Sequence, residues 1–206
     1  MKNIEHNTAK FWNDLYIQNE TGWDLTGPCQ PFLDILNSLD FVGKKVCIPG
    51  CGNGYDVIEI AKLGAEVFAI DFAEIPLENI RNHPEFNGLN IHLIQSDIFH
   101  LNGKYIEKFD YVFEYTCYCA IDPSNRKNYR DLIYQILKNG GKFISLFFPI
   151  LKPENDGGPP FGVNLDETIY LFEKNKKFKL LSLQKDINSH PKRKGNEALV
   201  ILEKNG

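Results

Sequence analysis

The chain has 206 residues, 43% of them hydrophobic, with a formal net charge of −4; that is enough for one sizeable core, and no composition shift marks a second domain. An acidic chain lacks the basic field that neutralises a run of phosphates, which excludes nucleic acid and leaves a small molecule as the expected partner. Met1 to Asn7 lacks the apolar core of a secretion signal and no apolar run could span a bilayer, so a cytosolic protein with no membrane partner and five reduced cysteines is expected. The sequence leaves the oligomeric state open, a monomer included.

In chain order, the spacing predicts a helix over Glu5 to Ile17, a loop carrying Trp23 and a helix near Gln30 to Ser38, with residues 1–40 forming a lid on a single domain of 1–206. Strand 1 is Lys45 to Pro49, followed by Gly50-Cys51-Gly52-Asn53-Gly54 and a helix from Tyr55 to Leu63. Glycines there allow positive φ and let a ligand approach the backbone closely. Strand 2 is Glu66 to Asp71 and ends in an acid about 20 residues after the glycines, placed to accept from ribose hydroxyls. A dinucleotide fingerprint would want a third glycine at position 55, where this chain has Tyr55, so a ligand with no pyrophosphate is expected.

A helix follows from Ile75 to Asn82, then strand 3 from Ile91 to Gln95, which empties into Ser96-Asp97-Ile98. Strand 4 is Phe109 to Tyr115; the next helix runs from Asp122 or Ser124 to Leu137 and is stopped by Asn139-Gly140-Gly141. Strand 5 is Lys142 to Phe148, and a loop rich in proline and glycine leads to a helix at Leu165 to Glu173. Two closing strands, Phe178 to Asp186 and Ala198 to Glu203, are joined by a polar turn that allows antiparallel pairing. The alternation predicts an α/β sheet with helices on both faces.

In such sheets ligands sit beyond the carboxyl ends of the strands. The loops after strands 1 to 4 therefore assemble an adenosyl site: Asp71 on the ribose, Phe72 and Ile98 about the adenine, Ser96 beside them, and Asp97 on the exocyclic amine unless it only caps a turn. Gly50, Cys51 and Gly52 face the rest of the ligand. Trp12 and Trp23 either pack the N-terminal segment or cover the ligand as an aromatic lid. None of His6, His83, His92, His100 or His190 falls at a predicted strand end, so surface or capping roles are expected for all five. Lys192-Arg193-Lys194 reads as a solvated loop, and no cysteine spacing suits zinc.

The glycine loop resembles the first motif of class I S-adenosylmethionine-dependent methyltransferases. With Gly22-Trp23-Asp24, Glu114-Tyr115-Thr116, Cys119 to Arg126, Gly157-Gly158-Pro159-Pro160-Phe161 and Arg193-Lys194-Gly195-x-Glu197, the chain resembles the thiopurine methyltransferase superfamily, closest to the thiol and halide methyltransferases. The resemblance implies a Rossmann-like seven-stranded sheet with an antiparallel last strand, S-adenosyl-L-methionine as cofactor, and a soft acceptor such as a thiolate, thiocyanate or halide. It implies Tyr115, Trp23 and Phe148 at the reaction, with Tyr118 and Phe161 as further wall candidates, and Glu114 near the cofactor's ammonium. Two positions depart from the family pattern: Glu114 stands for an expected aspartate, and Phe148 for a tyrosine common in the halide enzymes. Thiopurine or metalloid acceptors remain alternatives. From other classes, a nicotinamide oxidoreductase or a non-catalytic cofactor-binding module would use the same loop and acid.

Overall fold

The computed structural model describes residues 5–101 and 103–206; Met1 to Ile4, part of the segment searched for a leader, lie outside the described residues. Seven strands form one sheet in the order β3-β2-β1-β4-β5-β7-β6. They are β1 Lys45–Pro49, β2 Glu66–Asp71, β3 Ile91–Gln95, β4 Phe109–Tyr115, β5 Leu137–Phe147, β6 Phe178–Gln184 and β7 Ala198–Lys204. β7 runs antiparallel to β5 and to β6, while the other pairs are parallel. Among the described residues, no helix is long and apolar enough to cross a membrane.

Alternation along the buried strands divides the core into two layers. Val46 and Ile48 face a layer with Phe32, Val57, Ile60, Leu77 and Phe113. Cys47, Phe68 and Ile70 face the opposite layer with Tyr129, Ile133, Phe143, Phe147 and Phe172. The helices that cover these faces are α1 Ala9–Ile17, α2 Gln30–Leu36, α3 Tyr55–Lys62, α4 Glu74–Arg81, α5 Arg126–Ile136 and α6 Leu165–Glu173.

Two predicted elements change most, while the others shift by no more than two residues at an end. The first helix is broken into a 3-10 turn, Glu5–Asn7, and α1, because the Thr8 side chain accepts from the Phe11 N–H and caps a new start. At the other correction, α5 ends at Ile136 and Leu137 is already extended, pairing with Phe109. Gly140, at φ 73°, therefore shapes an irregularity inside β5, where the register jumps from Leu137 to Lys142, and does not stop a helix.

Candidate active site

The carboxyl ends of β1, β2 and β4 converge on the glycine loop. Gly50 has φ 60°, and a Cβ there would lie 2.9 Å from the Cβ of Cys117, so the loop after β4 presses directly on bare backbone. Gly54, at φ 74°, begins α3; a Cβ on it would come within 2.3 Å of the Ile80 side chain on α4. These two glycines let loop and helix approach closely enough to leave a groove and not a bulge.

Asp71 closes β2 and is only 8% exposed. Its Oδ2 accepts from the Gly52 N–H at 2.9 Å and its Oδ1 from the Ala73 N–H at 2.9 Å, which fixes the carboxylate and the loop together. Burial pushes its pKa up to about 6 against the pull of these backbone donors. Next along the edge, the Ser96 N–H donates to the Asp71 carbonyl at 3.0 Å, and Asp97 Oδ1 accepts from the Phe99 N–H at 2.9 Å. One oxygen of Asp97 thus has the capping role weighed from the sequence. The Ser96 hydroxyl donates to the Asp97 carbonyl at 2.9 Å and so serves the turn. Phe72 and Ile98 flank the acids, both half-buried.

Over this edge lies α1. Asn13 Oδ1 accepts from the Glu74 and Ile75 N–H groups at 3.0 and 3.3 Å, capping α4 just after Asp71. The Tyr16 hydroxyl stands 3.3 Å from where a Gly52 Cβ would be, and accepts from the Trp23 indole N–H at 3.3 Å. Burial beside Asp71 keeps that phenol protonated. Trp12 meets Trp23 edge to face at 5.4 Å, and Trp23 meets Tyr16 at 5.5 Å. Asn13 and Tyr16 were not among the residues picked from the sequence, and no motif marks them; only docking of α1 brings them to the loop.

Beyond the glycines, a small cavity of about 70 Å³ is lined by Trp23, Cys29, Phe32, Cys51, Tyr115 and Thr116. Behind its wall stands Arg193, 4% exposed. Its guanidinium lies 3.8 Å over the Phe148 ring and 5.4 Å over that of Tyr115, and Nη2 donates to the Trp23 carbonyl at 3.1 Å. Nη1 is buried with no hydrogen-bond partner among the described residues. The Tyr115 hydroxyl donates to Glu197 Oε2 at 3.0 Å, and Glu197 is itself buried, its pKa raised mainly by that burial. The solvated-loop reading of Lys192-Arg193-Lys194 is therefore corrected at its centre: Lys192 and Lys194 are exposed, while Arg193 is drawn in by two aromatic faces.

Three further residues take places other than those expected. Glu114, read as a neighbour of the cofactor's ammonium, is 1% exposed and its side chain is taken up within the protein. Its Oε1 accepts from the Cys117 and Tyr118 N–H groups at 2.9 and 2.8 Å, and its Oε2 from the Ser145 hydroxyl, so it braces the loop after β4. Tyr118, a wall candidate, is a core residue packed on Phe147 at 5.1 Å and Tyr129 at 5.7 Å. His6, expected in a surface or capping role, is half-buried, and its ring meets Phe161 at 5.4 Å. Arg126 reaches from α5 to Glu154 and to the Gly162 carbonyl, strapping down the loop after β5.

A larger, open groove of about 690 Å³ lies along the free edge of β3, lined by Glu66, Phe68, His92, Tyr105 and Lys108. It begins at the amino ends of β2 and β3 and includes none of the loop residues at the carboxyl ends of the strands, so the smaller cavity is the candidate site. Among the described residues all five cysteines are free, and no group of histidine, cysteine and acidic side chains could hold a metal ion.

The family model for thiopurine S-methyltransferase matches residues 7–205. The Arabidopsis thaliana protein named "Probable thiol methyltransferase 2" is 30% identical over 168 residues, 80% of this chain and 72% of that one. Thiocyanate methyltransferase 1 of the same plant is 28% identical, covering 91% of this chain and 82% of its own. Thiopurine S-methyltransferase of Legionella pneumophila strain Paris is 26% identical, with 86% of each chain covered. Among solved structures, a Burkholderia thailandensis 1,6-didemethyltoxoflavin-N1-methyltransferase, with S-adenosylhomocysteine bound, superposes with a TM-score of 0.73 at 18% identity, covering 96% of this chain and 87% of that one. The sheet order and its one antiparallel strand are those of the class I methyltransferase fold.

Proposed function

This chain belongs to the thiopurine S-methyltransferase family, and we propose that its acceptor is a small anionic sulfur nucleophile, a thiolate or hydrosulfide, with thiocyanate and iodide as acceptors of the same kind. It is an S-adenosylmethionine-dependent methyltransferase. The residues present fit that cofactor: a fixed buried carboxylate at the ribose position, bare backbone at Gly50 and Gly52, and an aromatic roof of Trp12, Tyr16 and Trp23. When bound, the cofactor supplies an electrophilic methyl on a sulfonium cation. We assign Asp71, Phe72, Ser96, Asp97 and Ile98 to the adenosyl half and Gly50 to Gly52, with the backbone at Glu114, to the amino-acid half.

The observation that carries the acceptor assignment is Arg193, a buried guanidinium with one nitrogen unpartnered, standing on the rings of Phe148 and Tyr115. A donor left without a partner in a buried site favours an anion there. Meeting of an anion with a sulfonium cancels charge, so a dry aromatic pocket that aligns the two and excludes water favours the transfer. The cavity wall of Trp23, Phe32 and Tyr115 is aromatic, which supports an apolar, water-poor acceptor site. The net charge of −4 likewise supports a small molecule over nucleic acid.

Arg193→Met tests the assignment. Loss of a charge-assisted hydrogen bond is worth about 1.5–3 kcal/mol, so KM for a thiolate acceptor should rise tenfold or more while the affinity for S-adenosylhomocysteine holds. Unchanged KM removes the guanidinium from the acceptor site. The lid has its own test: Trp23→Leu should weaken S-adenosylmethionine more than its neutral product, since attraction of a sulfonium to an aromatic face is about 0.5–2 kcal/mol. Calorimetry that finds equal losses for both ligands assigns the indole to packing alone.

A further inference from the structure

β3 ends the sheet: one of its long sides pairs with β2, and the other meets no strand among the described residues. The Val67 N–H donates to the Asn90 carbonyl at 2.9 Å and the Ser96 N–H to the Asp71 carbonyl at 3.0 Å, so the even-numbered backbone groups of this segment face β2. Backbone groups alternate in direction along a strand, which turns the N–H and C=O of Leu93 and Gln95 to the open side. An edge of this kind is a template for a further strand. It is also the floor of the open groove of about 690 Å³. Arg81 at the end of α4 and Phe86 form one wall, and Lys104, Tyr105 and Lys108, from the connection into β4, form the other. Ile106, inside that connection, is 63% exposed. Glu66 is the only acid among the described residues lining the groove, and it is taken up by Lys45 at 3.5 Å and by His92 Nε2 at 2.9 Å. Arg81, Lys104 and Lys108 have no carboxylate partner among the described residues. The Lys108 ammonium rests instead over the rings of Phe68 and Tyr105, at 4.1 and 4.9 Å, and that of Lys104 over Tyr105 at 5.2 Å. A chain of net charge −4 thus carries uncompensated positive charge on both sides of an unpaired strand.

We infer that this groove takes an extended acidic segment of a partner protein, which adds to β3 as a further strand. Leu93 and Gln95 supply main-chain hydrogen bonds that any sequence can use, and the walls supply the selection. Side chains of an added strand point alternately to the two faces, so carboxylates on one face meet Arg81 and those on the other meet Lys104 and Lys108. The same cations argue against a second copy of this chain as the occupant. Two copies pairing edge to edge through β3 would bring these three charges against their own counterparts, and lysines at a strand edge oppose that association. The groove lies at the amino ends of β2 and β3, so a segment bound there leaves the loops at the carboxyl ends free.

The test uses the intact chain and two end-blocked peptides, Glu-Val-Glu-Val-Glu-Val-Glu and its counterpart with lysine in place of every glutamate. Amide NMR during titration should show the acidic peptide bound, with the Leu93 and Gln95 amides shifted and slowed in hydrogen exchange, and an affinity that falls as salt is raised. The lysine peptide should bind at least tenfold more weakly. Arg81 and Lys104 are both exposed, and the double variant Arg81→Glu/Lys104→Glu should weaken the acidic peptide at least tenfold while its affinity for S-adenosylhomocysteine holds. Equal binding of the two peptides by the wild type, binding of neither, or an acidic peptide that leaves the Leu93 and Gln95 amides unmoved overturns the proposal. A wild type that sediments as a dimer, and as a monomer once both charges are reversed, also overturns it and gives the edge to a second copy.

Discussion

Replacing Asp71 with asparagine should raise the Kd for S-adenosylhomocysteine at least a hundredfold, although the side chain keeps its shape. Both carboxylate oxygens accept backbone N–H groups, from Gly52 and Ala73, each at 2.9 Å. An amide has one acceptor, so one of these donors must face an NH₂ group. The loop is then pushed off its course at the point where the ligand needs it, and the ribose loses an ionised acceptor. Hydrogen bonds to a charged group are worth about 1.5–3 kcal/mol, and two hydroxyls engaged by one carboxylate bring the loss to the hundredfold scale. A pH signature goes with it. The carboxyl titrates at about 6 in the free protein because burial outweighs its backbone donors. Ligand hydroxyls favour the ionised form, so wild-type affinity should weaken as pH falls through about 6 and stay level above it. In the variant that dependence should vanish. Calorimetry across pH 5 to 8 reads both effects; an affinity unchanged by the substitution takes Asp71 out of the ribose site.

The centre of the parallel half was legible because β1 and β2 are apolar runs, buried past their first residue, that lead into a glycine or end on an acid. β1 to β4 and α6 keep the bounds read from sequence. Such runs are buried on both faces and admit few alternatives. Asp71 and the glycines were legible for the same reason, since their place follows from strand ends alone. Arg193 was not. Between two exposed lysines it reads as one charge among three, and only the tertiary approach of Phe148 and Tyr115 distinguishes it. The sequence did hold one signal: Glu197, four residues on, opens the apolar run of β7 and needs a buried partner. Asn13 and Tyr16 lie on a segment whose docking no periodicity reports, so their places appear only once α1 is laid against α4 and the glycine loop.

Glu114 carries the other large effect, and it concerns the scaffold. The chain buries an acid in the middle of its sheet, at 1% exposure, and surrounds it with three donors: two N–H groups on Oε1 and the Ser145 hydroxyl on Oε2. Burial nevertheless outweighs these donors and pushes its pKa up to about 7 from 4.5. The folded pKa lies above the unfolded one, so this group's stabilising contribution is fully present below 4.5 and is lost as pH rises through about 7. Glu114→Gln suits the geometry, because Oε1 can keep both N–H groups while Nε2 donates to the Ser145 oxygen. Its thermal midpoint should match or exceed that of the wild type at pH 8 and should vary less between pH 5 and 8. Glu114→Ala, in contrast, strands two buried N–H groups and a hydroxyl and opens a cavity, at a cost of about 3–5 kcal/mol. The loop after β4 presses on Gly50, so the same variant should weaken cofactor binding without touching the cofactor through its side chain. Denaturation and binding measured on both variants decide the matter: equal destabilisation by glutamine and alanine would show that the charge, and not the hydrogen-bonded brace, holds this loop in place.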